Sequence, residues 1–430
     1  MADSRLKVVI AGAGIAGLAT AIALRQHPRI DVEIYEQATE LREIGASIAL
    51  SPNGLRTLDK LGIDNALDDE VAFRGPSGLP MIFRHWKTDE IVSVDRFTDV
   101  PVHRHQTARF HRAHLHQSLL QHVPGELVHL KKKIMGAQVD ADGVTAYFAD
   151  GTEARGDILI GADGIKSKTR KAFVPDHELQ WTGSTFMRST FDASLVSHIP
   201  DLPPDSTHWW GVSHGFFASR LGHGQYTVVG RCDPADVNDV HATDPKDVGW
   251  NDEGNVELLR AIYKDWSPVV RALSEATPYV RLFPNYAGAP LKTWVFGSRV
   301  TLVGDAAHTH GGAHAAGGSL ALDDAYALFL SISHVFPASS TSKLSGPAIR
   351  QALTLYEETR KPHTERLLKT VHASRRATAP QNDEELRHKM LSRADTAWLS
   401  EHDVEIAFAK VLEAHGNQTL SDKDVLEARL

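Results

Sequence analysis

Cysteine is almost missing from this chain. A single one, Cys232, stands among 430 residues. That excludes an internal disulfide framework and fits a reducing compartment. An excess of positive charge is missing too. Lys and Arg number 46 against 54 Asp and Glu, for a net charge of −8. Such a balance argues against nucleic acid or an anionic membrane surface as the main partner. No run is long and apolar enough to span a bilayer. One stretch, "KVVIAGAGIAGLATAIAL" (Lys7–Leu24), could pass for the apolar part of a secretory signal. Its glycines at Gly12, Gly14 and Gly17 are a pattern a signal does not require, so the expectation is a cytoplasmic protein. There is no internal repeat and no low-complexity tract.

What is present is ordinary globular composition, 42% apolar and 23% charged. The length exceeds what one compact core usually takes, which predicts two domains. The start reads as strand, glycine turn, helix (Ile15–Gln26) and second strand "DVEIYEQ" (Asp31–Gln37), a βαβ unit. "PNG" (Pro52–Gly54) reads as a turn before a helix with a glycine stop at Gly62, and Ala108–Val123 has helical spacing. From Trp181 to Arg281 the texture changes. "STFMRSTF", "HGFFASRLG" and "QYTVVGRC" alternate as strands, which predicts a sheet-rich domain inserted into the first. From Ile349 the pattern is helical.

"GAGIAG" (Gly12–Gly17) directly follows a strand and opens a helix. Gly12 suits the tight turn, Gly14 the approach of a pyrophosphate, and Gly17 the close packing of helix on strand. Free N–H groups at the helix start suit phosphate. Glu36 ends the second strand, where an acid can accept both hydroxyls of a ribose. Two further segments, "GADG" (Gly161–Gly164) and "GDAAH" (Gly304–His308), each end a hydrophobic strand.

This ordered trio resembles the class A flavoprotein aromatic hydroxylases over about Lys7–Leu367. The resemblance implies an α/β fold. In it, a Rossmann-like FAD-binding domain (1–75, 101–180 and 284–375) carries an inserted mixed-sheet substrate domain (76–100 and 181–283) and a C-terminal helical region (376–430). It implies that "DILIGADGIKSKTR", with Asp163, contacts the flavin, and that Asp305 binds the ribityl chain. Arg112 in "HRAHLHQSLL" would reach the FAD pyrophosphate. "EIGASIALSPNG" is similar to the loop beneath the flavin, where Gly45 and Ala46 would allow the ring to move. "YEETRKPHTERL" resembles the family's late helix. Where the family commonly has prolines and a G-x-G-x-N run after "GDAAH", this chain has "THGGAHAAGGSLALDD". That variant most resembles fungal polyketide-pathway monooxygenases acting on resorcinol-type phenols.

A flat three-ring cofactor needs backbone at close range, which suits Gly312, Gly317 and Gly318. Asp323 and Asp324 are expected in the first turns of the helix that follows, near Ser319, where acids are favourable. His308, His310 and His314 lack metal-site spacing, so no metal is expected.

The activity implied is NADPH- or NADH-driven hydroxylation of a small phenol, with or without dearomatisation, by molecular oxygen through a flavin C4a-hydroperoxide. FAD would be non-covalent, since Cys232 lies outside the flavin motifs. Arg188, a charge between apolar neighbours, and Tyr226 on another strand are the candidate catalytic residues for holding a phenolate. Arg231, His214 and Arg220 are weaker candidates, and "HWWG" (His208–Gly211) is an aromatic wall or core. The rival readings are a salicylate-type decarboxylating hydroxylase, a flavin-dependent halogenase or reductase, and a FAD-binding scaffold or sensor. No W-x-W-x-I-P motif is present to support the halogenase. Monomer and homodimer both stay open.

Overall fold

A nearly continuous apolar run ending at a glycine builds the first strand, Leu6–Ala11, at the middle of a parallel sheet. The computed structural model describes residues 5–41, 46–237, 247–376 and 379–427. The parallel sheet has the order Val300–Leu302, Ile158–Gly161, Leu6–Ala11, Ile30–Tyr35 and Val128–His129. Val300–Leu302 and Ile158–Gly161 are buried on both faces, as is Leu6–Ala11 apart from Lys7, while Ile30–Tyr35 alternates. Helices Ile15–Arg25 and Gly317–Val335 cover one side, in the largest apolar core. A three-stranded antiparallel sheet covers the other through Ile134, Val144 and Phe148.

A second, eight-stranded mixed sheet runs Asp252–Gly254, Val280–Gly288, Leu179–Asp192, Gln225–Cys232, Gly215–Arg220, Thr207–Trp210, Ile82–His85 and Ile91–Val94. Only the pairing of Thr207–Trp210 with Ile82–His85 is parallel. Helices Val256–Tyr263 and Pro268–Ala276 pack on one face of this sheet, burying Met187, Tyr226, Val228 and Cys232. Helix Gly346–Arg376 and the C-terminal helices Asp383–Leu391, Ala397–Ser400 and Val404–Glu427 complete the chain.

Two local expectations fail. Ala108–His111 is a strand, and the helix starts only at Arg112. Pairing with Ser47–Leu50 claims that backbone, and Ala108 and Phe110 enter the core at a spacing of two rather than 3.6. The "PNG" segment is no turn. Pro52 opens helix Pro52–Lys60, where its missing N–H costs nothing. The glycine stop does hold, with Gly62 in the left-handed region at φ +73°. Among the described residues, no helix is long and apolar enough to cross a membrane.

Candidate active site

The three glycines of the first turn do different jobs. Gly12 has φ +107°, and a Cβ there would lie 2.5 Å from the Ala162 carbonyl oxygen. A Cβ on Gly17 would lie 2.0 Å from the Gly12 oxygen. Packing alone therefore demands both. At Gly14 a Cβ would meet nothing within 4 Å, and Gly14, Ile15 and Ala16 line a large cavity. No side chain caps this helix, and no acid stands in its first turn. Its first N–H groups are thus left for an anion. Glu36 sits at the mouth of the turn. Each of its oxygens accepts one backbone N–H, from Ala13 and from Ala38, both at 2.8 Å. The remaining lone pairs of this pinned carboxylate suit the hydroxyls of a ribose. These residues fit the adenosine and pyrophosphate half of a dinucleotide.

The cavity measures about 1510 Å³. A single drug-sized ligand typically occupies ~300–1,000 Å³, so there is room for a dinucleotide and a substrate together. At the nucleotide end stand Arg112, Asp305, Gly317 and Gly318. Arg112 opens its helix, and its N–H donates to Ala46 O at 2.8 Å. Ala46 also lines the cavity, whereas Gly45 lies outside the described residues. Burial raises the Asp305 carboxyl above its ordinary value, against the pull of His308, Arg112 and Arg170. A Cβ on Gly317 would have only Asp305 Oδ1 nearby, at 3.9 Å, so this side is open to a ligand. Gly318 is small for another reason, since a Cβ there would strike Ile48 Cδ1 at 2.8 Å. Asp163 lines the cavity, but its carboxylate is spent on the start of helix Lys168–Phe173. It accepts from Ser167 Oγ, Lys168 N–H and both the N–H and Oγ1 of Thr169. Asp163 thus braces the start of that helix, whose N-cap is Ser167, from the wall of the cavity.

The glycine loop needs left-handed backbone. Gly311, Gly312, His314 and Ala315 all have φ between +52° and +69°. The helix beyond it starts at Gly317, and Asp323 and Asp324 lie past its first turn. They do not serve the helix dipole as expected. Both are fully buried with Arg360. Asp324 accepts from Arg360 Nε at 3.0 Å, His308 Nε2 at 2.6 Å and Gly304 N–H at 2.9 Å. Asp323 accepts from Asn53 Nδ2 and Thr57 Oγ1. This cluster ties the Asp305 segment to three helices, Pro52–Lys60, Gly317–Val335 and Gly346–Arg376. Paired acids inside an apolar helix and an arginine in "ETRKPH" were its only signals in the sequence. His308 is thus held by a carboxylate, His310 is buried, and His314 lines the cavity. Among the described residues, no group of three or more His, Cys, Asp or Glu is placed to hold a metal.

The eight-stranded sheet turns its other face to the cavity, and Arg188 stands on it. Its guanidinium carbon lies 5.5 Å over Phe186 and 5.4 Å over Phe283. No carboxylate pairs with it among the described residues, and its Nε has no hydrogen-bond partner. Burial, with Arg112 nearby, pulls its pKa down to about 10. A Cβ on Gly312 would come within 3.9 Å of Arg188 Nη2 and 3.7 Å of Phe186. Loop and arginine therefore face each other.

Tyr226 does not join them. Arg188 pairs with Val229, and Tyr226 with Phe191. Arg188 and Phe191 are three positions apart on their strand, so the two pairs project to opposite faces. Tyr226 is buried under the helices with Met187 and Tyr263. Arg231 and His214 line the cavity but are paired, with Asp233 at 2.8 Å and Asp236 at 2.9 Å. Arg220 is exposed at a strand end. "HWWG" divides by face, Trp209 into the core and His208 and Trp210 onto the cavity.

A family described as "FAD binding domain" matches residues 5–371. The chain belongs to this family. Within it, the protein has the fold of the class A flavoprotein aromatic hydroxylases, and it is an FAD-dependent monooxygenase. It is 28% identical over 434 residues to a salicylate hydroxylase of Pseudomonas putida, covering 95% of this chain and 96% of that one. It is 30% identical over 395 residues to the 6-methylsalicylate 1-monooxygenase of Aspergillus terreus, covering 86% and 82%. Among solved structures, a salicylate hydroxylase substrate complex matches with a TM-score of 0.76 at 22% identity, over 95% and 98% of the chains. Klebsiella pneumoniae HpxO, complexed with FAD and uric acid, matches with a TM-score of 0.72 at 24% identity, over 95% and 97%. At such identities these two matches speak to the fold alone.

Proposed function

We propose that this flavoprotein uses NADPH or NADH to hydroxylate a small phenol, of the polyketide-derived resorcinol type, which it holds as an anion. Arg188 carries the reading. It is a partly buried guanidinium, its Nε shielded from solvent, with no acid partner among the described residues, aimed across the cavity at the glycine loop. A cation so placed implies an anionic ligand, since an uncompensated buried charge is costly. Bound FAD supplies the electron transfer and the oxygen activation. The chain's own residues do the rest. An opposite charge within about 4–6 Å lowers an acid's pKa by roughly 1–3 units. Arg188 therefore favours phenolate, the form more reactive toward an electrophilic oxygen. Phe186, Phe283 and Val229 line the site and exclude water. Gly312 leaves the ring room beside them. The electrons and atoms balance as NAD(P)H, a proton, oxygen and the phenol giving NAD(P)⁺, water and the hydroxylated ring.

A second reading has support from the relatives named salicylate hydroxylase and 6-methylsalicylate 1-monooxygenase. Arg188 would then hold a carboxylate, and the ring could lose carbon dioxide as it gains oxygen. Substituted resorcinol aldehydes and salicylates, screened with NADPH and NADH, separate the two by product mass and by carbon dioxide release.

The role of Arg188 is tested by product formed per NAD(P)H consumed. Arg188→Ala is expected to retain FAD and oxidise NAD(P)H while yielding mainly hydrogen peroxide. Arg188→Lys recovers only part, because an ammonium lacks the planar two-point contact. A fully coupled Arg188→Ala enzyme would return this arginine to a packing role.

A further inference from the structure

The register of the mixed sheet lays out one row of side chains on the cavity face. Arg188 pairs with Val229, Val229 with Phe217, Phe217 with His208, and His208 with Phe83. All five line the cavity. Adjacent strands stand ~4.8 Å apart, so Arg188 and Phe217 are about 9–10 Å apart along this row. Above Phe217 lies a second arginine, Arg109, its guanidinium carbon 5.3 Å from the ring centre. Arg109 comes from the opposite wall, on strand Ala108–His111.

Arg109 is only 7% exposed and lines the cavity. Its hydrogen bonds go to neutral oxygens, Ser206 Oγ and Pro80 O, both at 3.1 Å. No carboxylate is within ion-pair distance of it among the described residues. The acid of this region, Asp95, pairs with Arg393 at 2.8 Å. Arg393 in turn lies 3.4 Å over Phe83. His208 accepts from Trp210 Nε1 at 3.0 Å, and burial beside Arg393 and Arg109 keeps it neutral. His314 is likewise held toward its neutral form by burial. Asp95 also acts on Arg109 through space, but its ion pair is with Arg393, so Arg109 has no acid of its own at ion-pair distance among the described residues.

We propose that Arg109 forms a second anion-binding subsite, opposite Arg188 across Val229 and Phe217, that reads an ionised oxygen group on the far side of the substrate ring. The ligand class is a single aromatic ring with acidic groups toward both ends, lying over an apolar floor. This rests on the reading of Arg188 as the first anion site. A clamp role for Arg109, tying its strand to Ser206 and Pro80, is the rival account.

Two probes separate them, salicylate and 5-carboxysalicylate, which adds a second carboxylate across the ring. Affinities are read from the change each causes in the flavin absorbance of the FAD-loaded enzyme. The wild type is expected to bind 5-carboxysalicylate more tightly than salicylate. Arg109→Gln, which keeps a donor for Ser206 or Pro80, should erase that preference, a relative loss of roughly 10- to 100-fold. Arg109→Lys should keep part of it. A wild type that prefers salicylate overturns the subsite, even where the variants fail to fold. So does an Arg109→Gln enzyme that weakens both probes equally, as a clamp would. Arg188→Gln is expected to weaken both probes alike. If it weakens neither, the first anion site falls, and the Arg109 preference ratio still decides the second.

Discussion

Replacing Asp324 by Asn tests the ion cluster beneath the glycine loop. Burial opposes ionisation of Asp324, yet His308, Arg360 and the Gly304 N–H hold its carboxyl down at about 2, against an ordinary 3.8. At 1.36 kcal/mol per pKa unit that gap is on the order of 2–3 kcal/mol. Losing the charge also leaves the fully buried Arg360 with Asp323, at 3.6 Å, as its one ion-pair acid among the described residues. Breaking a buried pair in this way typically costs about 3–5 kcal/mol, and Asp324→Asn is expected in that range at neutral pH. Asp323 is the internal control. Burial pushes its carboxyl up to about 6, and Asn53 and Thr57 already hydrogen-bond it. Asp323→Asn should therefore cost clearly less. The pH dependence has opposite signs at the two sites. Asp324 is depressed when folded, so its contribution is present above its ordinary pKa near 3.8 and fades as pH falls toward 2. Asp323 is raised, so its penalty is absent near pH 3.8 and grows as pH rises through about 6. The gap between the two variants should widen from about pH 4 to about pH 7. Urea unfolding across that range measures it. Equal costs, or a larger cost for Asp323→Asn at neutral pH, would refute the account of which acid carries the charge.

Three further outcomes follow from the same contacts. Glu36→Ala should weaken FAD by at least 10-fold, since a hydrogen bond to a charged group is worth about 1.5–3 kcal/mol; unchanged flavin affinity by fluorescence titration removes Glu36 from the ribose role. Gly312→Val puts a branched residue at φ +69°, with its new atoms facing Phe186 and Arg188. About 1–3 kcal/mol of backbone strain is expected, and substrate KM and coupling should suffer more than FAD retention; the reverse order would move this loop to the flavin side. Tyr226→Phe should leave product per NAD(P)H unchanged, because the tyrosine lies on the far face of the sheet. Uncoupling in that variant would bring Tyr226 back to the cavity.

How far the sequence could be read depended on whether a residue's role was local. Gly17 obeys sterics within one turn, where an added Cβ would strike the Gly12 oxygen as the G-x-G-x-x-G spacing implies, whereas at Gly12 it would strike Ala162 on the neighbouring strand's end. The Leu179–Asp192 and Gln225–Cys232 strands were legible from alternation, and Arg188 from a charge among apolar neighbours. Alternation does not say which strand residue faces which partner. The register does, and it separates Tyr226 from Arg188 by one parity step. Nor does helical spacing show that a neighbouring strand will claim Ala108–His111. Asp323 and Asp324 were visible as acids near a helix start, but their partner Arg360 is 36 residues beyond Asp324. The same limit hid the far half of the cavity. Arg109, Phe217, His208 and Phe83 come from four separate strands, and Arg393 from beyond the family match at residue 371. The folded register sets Phe217, His208 and Phe83 in one row and brings Arg109 and Arg393 over it. The glycine-rich loop was the most legible part of the site because it must be small. The proposed choice of substrate rests on the large side chains facing it, whose meeting no local pattern encodes.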